Sequence, residues 1–355
     1  MGFEIWWANA RSVARWSPED KSWVDRKSFT SSRVKARLFG RWPALTPTWN
    51  YLATQKQIDI FELQAGINSW LPFSPEGPRI ILHCHTSTMV RAFLNKDHGV
   101  ERHTARFKAW ATRNLRNAHG ILAPSNEIAM FEAGYYRIHP DKITILPHVY
   151  TVVADAGFKL RNDTAGNGAF LVIGNVEYFK GLDLITLGFD HYLKGNGTGT
   201  LQVAGCGGLP ELRNPSAQII KSTVEQVIAT HGPGKIQFLG KCSKDKLAQL
   251  RAQATAVVCG SRFEAFTLVA GESFLSGAPL ILSKRTGWRS LAERFHAARL
   301  INPYDALEVG AAMREMENQE TRQNYRRCGD TLAAYLQSGE LAEQTAQFYL
   351  QVAHC

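Results

Sequence analysis

Residues Ala256 to Leu291 read AVVCGSRFEAFTLVAGESFLSGAPLILSKRTGWRSL. Ala256 to Cys259 is a short apolar run suited to a buried strand, and Gly260 to Ala265 reads as a loop. Phe266 to Ser276 has helical length and apolar spacing. Gly277 is placed to end that helix, and Pro279 to Ser283 reads as the next strand. Strand, loop, helix and strand make one unit of a parallel sheet. Glu264 falls in the loop. Glu272, eight residues on, falls in a helix otherwise built from Phe, Thr, Leu, Val, Ala, Gly and Ser. A carboxylate there either finds a partner or lies on a solvated face. The helix start offers free backbone N–H groups at Ala265 to Leu268, where the dipole favours an anion. Two carboxylates for hydroxyls and a helix N-terminus for phosphates are what a sugar nucleotide requires.

The run EAFTLVAGE, with SRF before it and GAPLI after it, resembles the Glu-x7-Glu signature of glycosyltransferase family 4. The resemblance implies that Glu264 contacts the donor sugar and Glu272 holds the ribose. It also implies that the backbone of Ala265, Phe266, Thr267 and Leu268 meets the diphosphate.

A chain of 355 residues suggests two domains. None of the six cysteines pair at metal-ligand or redox-motif spacing, which fits a reducing compartment such as the cytoplasm. No basic-then-apolar leader and no run of 18 apolar residues is evident. Residues 1–120 carry 18 Lys+Arg against 9 Asp+Glu, whereas the rest carry 23 against 22. Eight of the nine tryptophans also precede residue 111. A basic, Trp-rich first part points to an anionic partner surface.

Phe3 to Asn9 reads as a strand and resembles the second strand of the family's first domain. On that resemblance either the chain is shortened at its start or this strand serves as the first; the shortened case predicts weak turnover. Thr30 to Trp42 has the spacing of a basic amphipathic helix. Arg33, Arg37 and Arg41 line one side, with Val34, Leu38, Phe39 and Trp42 on another. It suits the inner face of a membrane, or packs on its own domain with a solvated basic face. No nucleic-acid-binding module is recognised. Ile58 to Leu63 and Arg79 to His83 read as parallel strands, the second running into Cys84 and His85. Ligands of open parallel sheets sit beyond the carboxyl ends of strands. The resemblance places a catalytic-site histidine here, His85 matching best and His83 next. Two histidines at i,i+2 could instead hold a metal, but spacing offers no third ligand; a histidine bonding a loop carbonyl is the plain alternative.

Arg102 to Ala118 reads as a helix, Gly120 to Ser125 as a strand and turn, and Lys142 to Leu146 as the last strand of the first domain. Pro147 matches the family pattern, whereas His148 and Val149 replace its usual Asn-Gly. Beyond a linker, Ala169 to Ile173 opens the second domain. In Gly174-Asn175-Val176-Glu177-Tyr178-Phe179-Lys180-Gly181, Lys180 matches the family's diphosphate-bracing lysine, while Asn175 stands where an arginine is usual. Asn donates a hydrogen bond but carries no charge. Lys180 otherwise reads as an exposed lysine at a helix start. Thr286 to Trp288 reads as a loop facing the same cleft. The last helix, about Leu341 to Val352, is expected to cross back to the first domain.

These readings together imply an α/β, GT-B architecture of two Rossmann-like domains facing across a cleft. Residues 1–150 would form the acceptor side, 151–168 the linker, 169–335 the nucleotide-sugar domain and 336–355 the returning helix. The implied activity is retaining transfer of a sugar from a nucleotide-sugar donor to a glycan or lipid-linked hydroxyl acceptor. Cell-envelope polysaccharide or glycolipid synthesis is the implied setting, peripheral to the inner membrane face. His85, Lys180 and Glu264 would be catalytic. Gly174, Asn175, Lys180, Glu264 to Leu268 and Glu272 would hold the donor. No metal or other cofactor is expected, and no nucleic-acid partner. A non-catalytic protein of the same fold that binds a nucleotide, glycan or protein is the opposing reading, favoured by Asn175 and by the shortened start that the resemblance implies.

Overall fold

The computed structural model describes residues 6–8, 12–17, 22–28, 59–64, 73, 77–85, 101–148, 168–205 and 215–354. The basic stretch with Arg33, Arg37, Arg41 and Trp42 lies outside them, as does the linker up to residue 167.

Strands β1 (Trp6–Ala8), β2 (Ser12–Ser17) and β3 (Ser22–Ser28) form a separate three-stranded antiparallel sheet. The expected strand at Phe3 to Asn9 is therefore no member of a parallel sheet. Only three residues separate β1 from β2 in the sequence, and four separate β2 from β3. Links this short join antiparallel neighbours, whereas a parallel crossover needs a dozen residues or more.

The first parallel sheet contains β4 (Ile60–Gln64), β5 (Arg79–His83), β6 (Gly120–Ala123) and β7 (Ile143–Ile145) in that spatial order. Helix α1 (Glu101–Asn117) lies between β5 and β6, and α2 (Asn126–Tyr136) between β6 and β7. Side chains of a strand alternate between faces. Ile80, Leu82, Ile121 and Ala123 accordingly pack with Leu115, Ile128 and Tyr136, and Ile81 and Leu122 point to the other face. Ser125 caps α2 by accepting a hydrogen bond from the Ile128 amide at 3.3 Å.

The second sheet begins with β8 (Ala169–Ile173), α3 (Leu182–Lys194), β9 (Thr200–Ala204), α4 (Pro215–His231) and β10 (Ile236–Gly240). It continues through α5 (Lys244–Gln253), β11 (Ala256–Cys259), α6 (Leu268–Ser276), β12 (Leu280–Ser283), α7 (Arg289–Phe295) and β13 (Arg299–Ile301). All its pairs are parallel, in the order β10-β9-β8-β11-β12-β13. That is the doubly wound dinucleotide-fold order. The chain winds outward from β8 to β10, then returns to lay β11 on the other side of β8. Helices diverge at this reversal, which opens a crevice beyond the carboxyl ends of β8 and β11. The inner strands β8, β11 and β12 are apolar on both faces because helices cover both. Phe170, Val258 and Ile281 pack on one side with Phe189 and Tyr192, whereas Leu171, Val257 and Leu280 pack on the other with Phe274 and Trp288.

Three helices follow: α8 (Ala306–Glu315), α9 (Gln319–Leu336) and α10 (Gly339–His354). Phe348 and Val352 of α10 cover Ile81 and Leu122, so the last helix packs on the first sheet. Tyr349 of the same helix donates to Glu62 of β4. No helix of the described residues is long and apolar enough to cross a membrane. Cys84, Cys242, Cys259 and Cys328 are free.

Candidate active site

Crossing from β8 to α3, the chain makes a 3-10 turn at Tyr178–Lys180, then enters the left-handed region at Gly181 (φ 73°). A Cβ there would also lie 2.2 Å from the Gly260 carbonyl oxygen, so only glycine fits. This close approach seats the β8–α3 turn directly on the end of β11. Between them lies a crevice, open to solvent, lined by Gly174, Asn175, Lys180, Gly260, Ser261, Glu264 and Thr267 among others.

Lys180 and Glu264 meet in the crevice as a partly buried ion pair. Ser261 Oγ donates to the other Glu264 oxygen at 2.9 Å. Both side chains of the pair are mostly shielded, at 24% and 14% exposure, so their attraction is stronger than that of a surface pair. Beneath them Arg262 donates to both oxygens of Asp183 in the first turn of α3 and, at 2.6 Å, to the Tyr178 carbonyl. Its guanidinium also lies 3.7 Å over the Tyr178 ring. Arg262 and Asp183 are buried. This fork fixes the Glu264 loop relative to the turn that carries Lys180. Neither residue stood out in the sequence, since an aspartate in a first helical turn is ordinary. Arg262 was visible only as part of SRF beside Glu264.

Helix α6 starts at Leu268, not Phe266, because Thr267 is extended (φ −63°, ψ 125°). Phe266 is drawn away to stack on Trp288 at 3.9 Å, and Trp288 Nε1 donates to the Thr267 carbonyl at 2.8 Å. The unpaired amides of the helix therefore begin near Leu268, not at Ala265. Gly277 ends α6 in the left-handed conformation (φ 69°), as expected. Thr286 and Trp288 are fully buried, so this segment is packed interior where an open loop was expected, and a Cβ on Gly287 between them would meet Ser125 of the first domain. A large indole gains more from burial than from lining a wet crevice.

Of the donor-binding candidates, the crevice brings together Gly174, Asn175, Lys180, Glu264 and Thr267. Ala265 and Phe266 are buried; Ala265 packs with the core of the first domain. Leu268 is exposed. Glu272 is not among the crevice-lining residues; it pairs with the buried Arg251 of α5. The carboxylate in the apolar helix thus has its partner.

Across the seam, Phe263 packs on Phe131, and Ser290 Oγ donates to Glu127 at 2.8 Å. His85 stands just past β5, with its ring stacked on His83 at 4.4 Å and on His148 at 5.3 Å. His83 Nδ1 pairs with Glu62 Oε1 at 2.8 Å. The His148 ring meets Phe266 edge-on at 5.1 Å, linking this cluster to the second domain. Burial, then the neighbouring His83, pushes the His85 imidazole down to about 4; burial and both other histidines do the same to His148. Both rings are therefore neutral at physiological pH, with a lone pair each. Burial opposes ionisation of Glu62, but hydrogen bonds from His83 and Tyr349 outweigh it and hold the carboxyl below its usual range. Spacing offered no third metal ligand beside His83 and His85; the fold supplies one in His148.

Residues 162–331, just under half of the chain, match the family model described as glycosyl transferases group 1. The chain is similar in structure to sucrose-phosphate synthase from Thermosynechococcus elongatus, at TM-score 0.67 and 18% identity over 91% of this chain and 80% of that one. It is also similar to an α,α-trehalose-phosphate synthase (UDP-forming) from Burkholderia vietnamiensis, at TM-score 0.57 and 17% identity over 78% and 68%. A glycosyltransferase from Rickettsia africae aligns at TM-score 0.58 and 11% identity over 86% and 80%. No curated protein matches the sequence. With its two parallel sheets, the chain has the GT-B fold of two Rossmann-like domains.

Proposed function

We propose that this protein is a retaining glycosyltransferase, akin to family 4, that moves a sugar from a nucleotide-sugar donor to a hydroxyl acceptor. The observation that carries the reading is the meeting of Lys180 and Glu264 in the crevice at the strand-order reversal, within a segment similar to group 1 glycosyl transferases. Charge on the departing diphosphate grows as the glycosidic bond breaks, and a held ammonium stabilises it more in the transition state than in the ground state. On this reading Lys180 transfers its charge from Glu264 to the diphosphate when the donor arrives. Glu264, kept in place by Ser261, is then free to accept hydrogen bonds from sugar hydroxyls. Glu272 takes the ribose, and His85 stands on the acceptor side. Asn175 adds a neutral hydrogen-bonding group to the crevice, so less positive charge faces the phosphates than an arginine would bring.

The acceptor we assign is a glycan or lipid-linked hydroxyl of the cell envelope. The basic stretch from Thr30 to Trp42 would hold the enzyme to the cytoplasmic membrane face. A binding-only role is the competing reading, and turnover separates the two. Release of nucleoside diphosphate is measured across UDP-, GDP- and ADP-sugars, with cell-envelope extract or sugar phosphates as acceptors. UDP-sugars come first because the trehalose-phosphate synthases are UDP-forming. Acceptor-dependent release is expected from at least one donor. Tight nucleotide binding with no release from any pair would leave the protein a binding module.

A further inference from the structure

We propose that His83, His85 and His148 bind a first-row divalent transition-metal ion, zinc being the reference case, at the seam between the two domains. Each residue offers one ring nitrogen, and these three atoms lie within 4.8 Å of one another. Zinc–nitrogen bonds of about 2.0–2.1 Å in tetrahedral geometry need nitrogens about 3.3–3.4 Å apart. Closing the set requires the rings, now stacked at 27° (His83 on His85) and 25° (His85 on His148), to turn until their in-plane lone pairs converge on the ion.

The second observation is the state of His83. Its Nδ1 is engaged by Glu62 Oε1 at 2.8 Å, while its Nε2 is buried with no hydrogen-bond partner. A buried polar atom left unpaired is costly, and native structures rarely keep one without a use. A carboxylate on the far nitrogen is also how metal-ligating histidines are oriented and made more basic. Glu62 is itself held by Tyr349 of α10, so the outer layer is built as well as the inner one. Three imidazoles select zinc, nickel or copper over magnesium or calcium, which prefer oxygen. The set stops at three among the described residues, which leaves a fourth position for water or a hydroxyl oxygen.

The placement sets this site apart from the donor crevice, which none of the three histidines lines. His83 ends β5, His85 follows it, and His148 follows β7. An ion bound there clasps two loops on the cleft side of the first sheet. Through the edge contact of His148 with Phe266, it also bears on the segment that leads into α6.

The test uses the untagged full-length chain, stripped with a chelator and desalted. Zinc is titrated by calorimetry, and cobalt(II) by visible absorption, where a tetrahedral site gives intense d–d bands. One equivalent of each metal is expected to bind. Glu62→Gln should weaken zinc about 10- to 100-fold, and His148→Asn more than that, with loss of the tetrahedral cobalt spectrum. Circular dichroism checks that both variants are folded; if His148→Asn is not, Glu62→Gln decides. Absence of stoichiometric zinc and cobalt binding by the parent, or parental zinc affinity in the folded variants, overturns the proposal.

Discussion

Replacing Arg262 by Met tests the brace beneath the crevice. Arg262 and Asp183 are 8% and 4% exposed, and the guanidinium serves both Asp183 oxygens and the Tyr178 carbonyl. Without Arg262 a buried carboxylate loses its only charged partner among the described residues. Breaking a buried pair in this way costs about 3–5 kcal/mol, most of it the penalty of the stranded charge. For a domain of this size each kcal/mol shifts Tm by about 2–4 °C, so a fall of roughly 6–20 °C is expected. Arg262→Met combined with Asp183→Leu removes both charges, and the Tyr178 carbonyl keeps its hydrogen bond from the Gly181 amide at 3.1 Å, so little is left uncompensated. The double variant should therefore be more stable than the single one by about 2 kcal/mol or more. Denaturant-dependent hydrogen exchange, read by mass spectrometry on peptides within residues 169–301, confines the measurement to the second sheet. Equal losses in the single and double variants would refute the reasoning, since they would show that Asp183 is not stranded when Arg262 goes.

On the proposed function, Lys180→Ala should lower kcat/KM for diphosphate release by about 10²–10³, a larger loss than the one in folding stability from leaving Glu264 with Ser261 alone; unchanged turnover would make Lys180 a mere pairing residue for Glu264. Glu272→Gln should weaken nucleoside diphosphate binding by about 1–3 kcal/mol, and parental affinity by calorimetry would confine Glu272 to its pairing with Arg251. Glu132 of α2 is buried, and burial pushes its carboxyl up to about 8. Its folded-state value thus exceeds the ordinary 4.5, so the stability tied to its proton is complete below about pH 4.5 and is lost as pH rises through 8. Glu132→Gln should therefore flatten the decline of Tm between pH 5 and 8, on the order of a few kcal/mol, whereas parallel profiles would rule out a buried protonated carboxyl. Parent protein should sediment with anionic vesicles at low salt and leave them at high salt; a variant with Arg33, Arg37 and Arg41 changed to Gln that sediments as well as the parent would remove the membrane role from that stretch.

The second domain was legible because buried parallel strands announce themselves. Ala256–Cys259 and Ala169–Ile173 are continuous apolar runs closed by glycine, and both strands fall on the residues expected. Helix α6 began two residues late because Phe266 gains more by stacking on Trp288 than by continuing the helix. That preference depends on Trp288, which local spacing does not bring to Phe266. The antiparallel sheet at the start was missed for a different reason. Pro18 to Lys21 between two strands is a turn signal in its own right, but resemblance to a parallel-sheet strand displaced the local turn chemistry. In the sequence His148 stood out only as a replacement for the family's usual Asn after Pro147. Its relation to His83 and His85 arises only when β7 is laid beside β6 and β6 beside β5.

The two glutamates of the motif show where sequence reasoning about charge stops. A carboxylate in an apolar helix finds a partner or lies on a solvated face, and Glu272 does the first while staying 38% exposed. Whether the partner is a ligand or a side chain is a question of geometry, and the fold answers it in part with Arg251. Glu264 is likewise met by Lys180. In this state each motif carboxylate is matched by a cation, so neither the shielded Glu264 nor the buried Arg251 is without an opposite charge before any ligand arrives. For an incoming diphosphate this has a consequence. Lys180 must loosen from Glu264 to reach phosphate, which reduces ground-state affinity. Diphosphate in the ground state carries less charge at the bridging oxygen than it does as the sugar leaves. The exchange of partners is therefore most favourable late in bond cleavage, and on the proposed reading the Lys180–Glu264 pair favours turnover over tight donor binding.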